Sequence, residues 1–228
     1  MTIFGKLKGG EKIFPVLAAN KILFILVLTT VFLVPVIPVT FHRLTYSILF
    51  TSIILTGTQL VSKHRTLILS SAVPAIAMVW IGEMMGFGVI NNISKGVNVV
   101  LFTFIVLNLV KQVSSAKMVS PKVILESINA YLLIGLVFSL LVAALMSMNH
   151  SAFSFFNTNA SPIQNEFPFY QFIYYSFSTL TTVGYGDVVP MTSVARSLSN
   201  LISVTGQLYI AIVIALLVGK YIIQAERS

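Results

Sequence analysis

Residues 182–187 read Thr-Val-Gly-Tyr-Gly-Asp, and the spacing of the two glycines gives this string an unusual backbone chemistry. Consecutive carbonyl oxygens face one axis only if the backbone alternates between right-handed and left-handed conformations. The left-handed conformations have positive φ angles, which a Cβ opposes. Gly184 and Gly186 lack a Cβ and accept such angles. A row of carbonyls replaces the water around a cation without adding net charge. The string therefore predicts a main-chain cation site.

The longer line Thr179–Asp187 resembles the selectivity-filter signature of potassium channels. The resemblance implies K⁺ ions bound by backbone carbonyls and one threonine hydroxyl, and it assigns this filter to Thr182, Val183, Gly184, Tyr185 and Gly186. The side chains of Val183 and Tyr185 are expected to point away from the axis and pack the filter against its surroundings. One chain supplies a quarter of such a ring, so the resemblance implies a homotetramer. No cofactor is predicted besides the bound K⁺.

Composition indicates an integral membrane protein. The 228 residues are 57% hydrophobic and 9% charged, with a mean hydropathy of +0.95, far from the usual balance of soluble domains. The formal net charge is +8, but the basic residues lie between apolar segments and form no patch for nucleic acid. There is no cysteine, and no phosphate loop, carboxylate pair or nucleophile–base set appears. An enzyme is not expected.

Charged residues separate the apolar runs. Six stretches are uncharged: 22–42, 44–62, 66–82, 96–110, 127–165 and 197–219. A span needs about 20 residues; the third run reaches this length only with Glu83 near its end, and the fourth extends past Lys111. The fifth holds one helix, about 124–148, and then a polar loop. We predict an all-α membrane protein with six transmembrane helices and a re-entrant pore helix and filter loop between helices five and six.

Basic residues favour one orientation of these six spans. With the N-terminus inside, eleven lysines and arginines face the cytoplasm and three face outward, as the positive-inside rule requires. We expect a multi-pass plasma-membrane protein in the lipid bilayer, with both termini cytoplasmic. Three units follow: a cytoplasmic segment at 1–20, a four-helix bundle like a voltage sensor at 21–118, and a pore domain at 119–228.

The segment before the filter is predicted to be a short helix. Pro168 suits the first turn, and residues 169 to about 180 form a half-span. The order of short helix, filter and last helix is similar to the pore domain of potassium channels over 122–224. The family's aromatic cuff around the filter is carried here by Tyr174 and Tyr175, unless both simply pack. Asp187 is expected to accept from Tyr174 and to attract cations at the outer mouth, or to serve as a turn residue. Some family members have a carboxylate where this chain has Ser178.

The last helix carries a predicted hinge and gate. Gly206 lies twenty residues after Gly186, the spacing of a hinge glycine in many family members; close packing is the alternative. If Gly206 faces the pore helix, the helical period turns a row of side chains toward the axis, namely Gln207, Ile210, Ile214, Val218 and Ile222. Ile214, Val218 and Ile222 are the predicted inner gate, an aliphatic ring that closes by dewetting.

The fourth predicted span argues against strong voltage sensing. A sensor moves about 3–4 charges per subunit through the field, whereas 96–113 carries only Lys111. Glu126 is interpreted as a structural acid at a helix N-terminus. We predict a passive potassium channel with weak or no voltage gating. The alternatives are a nonselective cation channel, a subunit of a K⁺ uptake system, and a non-conducting membrane scaffold.

Overall fold

A computed structural model of the chain describes residues 13–60, 88–116, 118–155 and 168–226, together with the isolated helical positions Pro74 and Ala77. The third predicted span, 66–82, therefore lies outside the described residues apart from those two positions. Glu83 lies outside them as well.

Helices make up most of the described chain. The first, α1, covers Ile13–Leu28 and continues through a π-helical turn at Thr29–Leu33 and a 3-10 turn at Val34–Val36. The other helices are α2 at Val39–Leu60, α3 at Gly88–Ser115, α4 at Pro121–Met148, α5 at Phe169–Leu180 and α6 at Ser193–Ala225. Strands β1 (Phe153–Phe155) and β2 (Val188–Pro190) pair antiparallel, with Ser154 opposite Val189.

Within the described part of the chain, three helices are long and apolar enough to cross a membrane: Leu17–Val36, Pro121–Met148 and Ser193–Ala225. A shorter apolar helix covers Val99–Ser115. The prediction of a largely helical membrane protein is confirmed at this level. The last two helices correspond to the fifth and sixth predicted spans, and α5 lies between them in sequence. The strand pair β1–β2 was not predicted.

The first helix differs from its prediction at both ends. It begins at Ile13, inside the predicted N-terminal segment 1–20. Near its other end the helix widens to the π form at Thr29–Leu33, directly before Pro35. Proline lacks an N–H donor and its ring clashes with the carbonyl four residues earlier, which is a common cause of such a change. The helical path ends at Val36, and α2 starts three residues later.

Helix α4 is at the centre of the packing. It begins at Pro121, where the Ser120 side chain accepts a hydrogen bond from the Val123 amide. It contacts α1, α3, α5 and α6, and Leu133 and Leu136 are fully buried. Every helix of the predicted pore domain is therefore positioned directly by α4.

Aromatic rings join α2 to the start of α5. The ring centroid of Phe169 lies 5.1 Å from that of Tyr46 and 5.6 Å from that of Phe50, both in edge-to-face geometry. Such pairs contribute about 0.5–1.5 kcal/mol beyond the area they bury. The beginning of α5 is thus held by the first half of the chain, and its end by α6.

A buried polar cluster joins α1, α3 and α4. Glu126 of α4 is only 1% exposed. Its Oε1 accepts from Asn20 of α1 (3.3 Å) and Gln112 of α3 (2.8 Å), and Lys122 lies 3.8 Å away. Asn129 donates to the Asn20 carbonyl at 2.9 Å. Glu126 lies beyond the first turn of α4, so its predicted role at the helix N-terminus is wrong: it is structural because it joins helices.

Replacing Glu126 tests this cluster. Glu126→Ala removes the acceptor shared by the buried Asn20 amide and the partly buried Gln112 amide, and hydrogen bonds to a charged group contribute about 1.5–3 kcal/mol each. We expect a clearly lower midpoint of thermal unfolding, followed by circular dichroism in detergent. Glu126→Gln is the matched control, because it keeps an acceptor oxygen of the same reach and should lose less. Equal midpoints for Glu126→Ala and the unmodified protein would contradict the assignment.

Candidate functional site

Helix α5 has the bounds predicted from the sequence, Phe169–Leu180, and it starts directly after Pro168. Its buried face is formed by Phe172, Ile173, Tyr175, Ser176 and Leu180. On another side, the Phe177 ring lies against Gly135 of α4, where an added Cβ would come within 2.4 Å of it. No other residue type fits at Gly135 unless the Phe177 ring moves. The absence of a side chain there sets the distance between the two helices.

The chain after α5 folds back onto the last turn of that helix. The carbonyl oxygen of Ser178 accepts from the amides of both Val183 (2.9 Å) and Gly184 (3.1 Å), and the Thr182 amide donates to Thr179 at 3.0 Å. None of the described peptide bonds is cis. In a planar trans peptide, the N–H of one residue points opposite to the C=O of the residue before it. The carbonyls of Thr182 and Val183 therefore both point away from Ser178.

The sign of the backbone φ angle alternates along the same segment. The φ angle is +60° at Thr182, +52° at Gly184 and +81° at Gly186, while Val183 and Tyr185 between them are not in this region. An added Cβ at Gly184 or Gly186 would meet no atom within 4 Å. These two positions are glycine for their φ angles, not for space. The positive φ at Thr182 was not anticipated from the sequence.

Tyr174 of α5 makes two contacts with the last residues of the segment 182–187. The Tyr174 hydroxyl donates to Asp187 Oδ2 at 2.8 Å, and its ring stacks on Tyr185 with centroids 6.0 Å apart and planes within 6°. Desolvation, with smaller contributions from the hydrogen bond and charge of Asp187, raises the pKa of Tyr174 to about 12. The phenol is therefore a neutral donor at physiological pH. Asp187 and Tyr185 are held to α5 by the same side chain.

The second tyrosine of the predicted cuff joins three elements. The Tyr175 hydroxyl hydrogen-bonds with Ser199 of α6, and its ring meets Phe153 of β1 edge-to-face at 4.9 Å. Strand β1 in turn pairs with β2, which starts directly after Asp187. The sequence analysis missed Ser199 and Phe153. A serine on an apolar helix and a three-residue strand carry no distinctive pattern.

The end of α5 rests on α6. A Cβ at Gly206 would lie 1.9 Å from the backbone oxygen of Leu180, which is far inside van der Waals contact. Helix α6 runs without interruption from Ser193 to Ala225. Close packing therefore accounts for Gly206, and the nearest atoms belong to Leu180 of α5, not to α4; bending at this glycine stays a prediction.

The side chains predicted to face the axis are exposed in the single chain. Gln207, Ile210, Ile214, Val218 and Ile222 all lie on accessible parts of α6. Gln207 Nε2 donates to the hydroxyl of Thr182 at 3.1 Å. This face of α6 therefore lies beside the first residue of the segment 182–187. Ile214, Val218 and Ile222 continue along the helix beyond Gln207, at the positions where the inner gate is predicted.

Side-chain metal ligands do not explain the site. In the described ranges, no group of three or more histidines, cysteines or acids comes together. The oxygen atoms at residues 182–185 are the main-chain carbonyls and the hydroxyls of Thr182 and Tyr185, and none of them carries a full charge. Such a set suits a weakly hydrated monovalent cation better than a transition metal, which prefers imidazole or thiolate.

Gly206→Ala tests the contact between α5 and α6. Because the new methyl overlaps the Leu180 oxygen, the end of α5 has to move, and overpacking of this kind costs about 1–3 kcal/mol. We expect a lower midpoint of thermal unfolding in detergent. Gly219→Ala is the matched control: it lies in the same helix with nothing within 4 Å, so it should be neutral or slightly stabilising. A midpoint for Gly206→Ala at or above that of Gly219→Ala would contradict the contact.

Comparison with known proteins agrees with this geometry. Residues 128–222 match a family model described as "Ion channel", a range that contains most of α4, all of α5, the filter segment and nearly all of α6. No curated protein and no solved structure matches the chain. With its long apolar helices, the chain is thus a membrane protein in which residues 128–222 are similar to an ion-channel domain.

Proposed function

We propose that the protein is a homotetrameric potassium-selective channel that passes K⁺ passively down its electrochemical gradient. The observation that carries this proposal is the orientation of successive peptide planes: the amides of Val183 and Gly184 both bind the Ser178 oxygen, so the carbonyls of Thr182 and Val183 face the opposite side. Rows of carbonyls facing one side are what dehydration of K⁺ requires. Thr182, Val183, Gly184 and Tyr185 are the proposed ligands.

One chain supports only one side of such a site. Carbonyls from a single backbone cannot surround an ion, so four copies about a common axis are proposed. Exposure supports the same arrangement: Val183 is 54% and Tyr185 72% exposed in the single chain, although both are large and apolar or aromatic. Neighbouring subunits would cover them and hold the filter at fixed width. The accessible aliphatic face of α6 then lines a shared cavity.

Electrostatics favours a cation along this path. The C-terminal end of α5 carries about half a negative charge, and it lies directly at the start of the filter segment. Asp187, the chain's one aspartate, would form a ring of four carboxylates at the outer mouth, which concentrates cations there. Neither group binds the ion directly. They lower the energy of bringing a cation into the pore.

The first half of the chain supports weak or no voltage gating. Residues 96–110 carry no charge, whereas steep voltage dependence needs about 3–4 moving charges per subunit. The proposal keeps six spans, a re-entrant α5 and cytoplasmic termini in the plasma membrane. Within this topology, the Glu126 cluster attaches α1 and α3 to the pore domain as a rigid support.

Bi-ionic recording tests the selectivity. Purified protein in a planar bilayer, with potassium salt on one side and sodium salt on the other, should give a current that reverses far from zero, toward the potassium equilibrium potential. A reversal potential near zero would indicate a nonselective cation channel. Absence of any current would favour a scaffold or a subunit that needs a partner for transport.

Gly184→Ala tests the filter geometry. A Cβ in the left-handed region costs about 1–2 kcal/mol in each subunit, and the penalty recurs in all four. We expect loss of selective current, because the carbonyls of this segment no longer hold one direction. Gly96→Ala in α3 is the control, since nothing lies within 4 Å of its Cβ and its φ is helical; it should conduct normally. Selective current through a Gly184→Ala channel that still elutes as an assembled oligomer would overturn the geometry.

A further inference from the structure

Thr182 is the one left-handed residue of the filter segment that is not glycine. Its φ of +60° is unfavourable for any residue with a Cβ, and more so for a β-branched one. Conformations of this kind persist only where the surroundings hold them. Of the atoms proposed to bind the ion, the Thr182 hydroxyl oxygen is the one that comes from a side chain. What holds this residue therefore determines the geometry of the innermost ion site.

Three hydrogen bonds hold Thr182. Two come from its own segment: its amide donates to Thr179 at 3.0 Å, and its hydroxyl donates to the Thr181 carbonyl at 2.7 Å. The third comes from α6, where Gln207 Nε2 donates to the Thr182 hydroxyl at 3.1 Å. A hydroxyl has one proton and two lone pairs. With the proton given to Thr181 and one lone pair occupied by Gln207, one lone pair is left, and its direction is fixed.

We propose that Gln207 is a positioning residue for the innermost cation site, holding the Thr182 hydroxyl so that its remaining lone pair faces the ion. This inference rests on the proposed channel function and extends it to a residue outside the filter signature. Gln207 does not bind the dehydrated ion; it acts through Thr182.

The residue type and its place in α6 fit this role. Gly206 lets α6 approach the Leu180 oxygen closely, which brings the next residue, Gln207, beside the start of the filter segment. A glutamine amide donates a hydrogen bond without adding positive charge. A lysine would donate too, but its charge would repel the cation. The next residue, Leu208, is exposed and has no donor to offer.

Barium binding measures the effect. Ba²⁺ is close to K⁺ in size and carries twice the charge, so carbonyl sites of this width bind it more tightly. Isothermal titration of the purified, detergent-solubilised protein with BaCl₂ should give about tenfold weaker binding for Gln207→Met, the change expected when one hydrogen bond no longer orders the ligand. Methionine matches glutamine in length and lacks the donor.

Gln224→Met is the matched control. It makes the same substitution in the same helix and also removes a hydrogen bond, the one from the Val119 amide to Gln224 Oε1 at 3.1 Å, but far from the filter. It should leave barium affinity unchanged. Any loss caused by general destabilisation of α6 would appear in this variant as well.

A double-mutant cycle separates positioning from a purely structural role. In a Thr182→Val background the acceptor hydroxyl is gone, so adding Gln207→Met should change barium affinity by less than about twofold. Unchanged affinity in Gln207→Met alone, or a full tenfold loss on the Thr182→Val background, would overturn the inference while leaving potassium-selective current intact. Absence of barium binding by the unmodified protein, together with non-selective current, would overturn the channel proposal itself.

Discussion

The double hydrogen bond to the Ser178 carbonyl is the constraint on which the rest of this site depends. One oxygen at the end of α5 takes the amides of both Val183 and Gly184, and planar peptides then turn the preceding carbonyls to the opposite side. The two glycines permit the positive φ angles of this turn, but they do not determine in which direction its carbonyls point. The end of α5 determines this direction, because the last carbonyls of any helix lack partners within the helix and accept hydrogen bonds from the chain that follows.

Residues 182–187 need support from the surrounding structure, since positive φ angles alternate with ordinary ones along their backbone. Gly206 supports it from α6, through contact with Leu180. Tyr174 supports it at the outer end through Asp187, and Tyr175 reaches α6 through Ser199. The pairing of β1 with β2 fixes the chain immediately after the segment. Ser178, whose position carries a carboxylate in some potassium channels, donates its hydroxyl to the Tyr175 carbonyl at 3.0 Å.

The first half of the chain serves this arrangement from a distance. Phe169, at the start of α5, packs against the rings of Tyr46 and Phe50, and Glu126 joins α1 and α3 to the beginning of α4. Breaking a buried charge cluster is costly even where forming it gains little. The described helices before residue 119 are thus attached to the later part of the chain at two separate places.

Local chemistry explains what was predictable. The positive φ angles of Gly184 and Gly186 and the bounds of α5 follow from residues close together in sequence, because turn geometry and helix starts are decided by neighbours. The Tyr174–Asp187 bond was also anticipated, from the resemblance to the aromatic cuff of potassium channels and from the need of a tyrosine hydroxyl for a partner. That the chain is a helical membrane protein follows from its composition. Polar groups are costly to bury in lipid, so the chain consists of long apolar segments whose backbone polar groups are paired within helices.

Only the tertiary structure decided how the site is held. The bond between Thr182 and Gln207, the strand pair, and the bonds of Glu126 to Asn20 and Gln112 join residues between 14 and 106 positions apart, and no periodicity marks them. The positive φ of Thr182 has no signal in the sequence either. Gly206 shows the division most clearly. Its spacing singled it out in the sequence, but whether it bends or packs depended on which backbone atom came to lie against it, and that is a property of two helices meeting, not of either one alone.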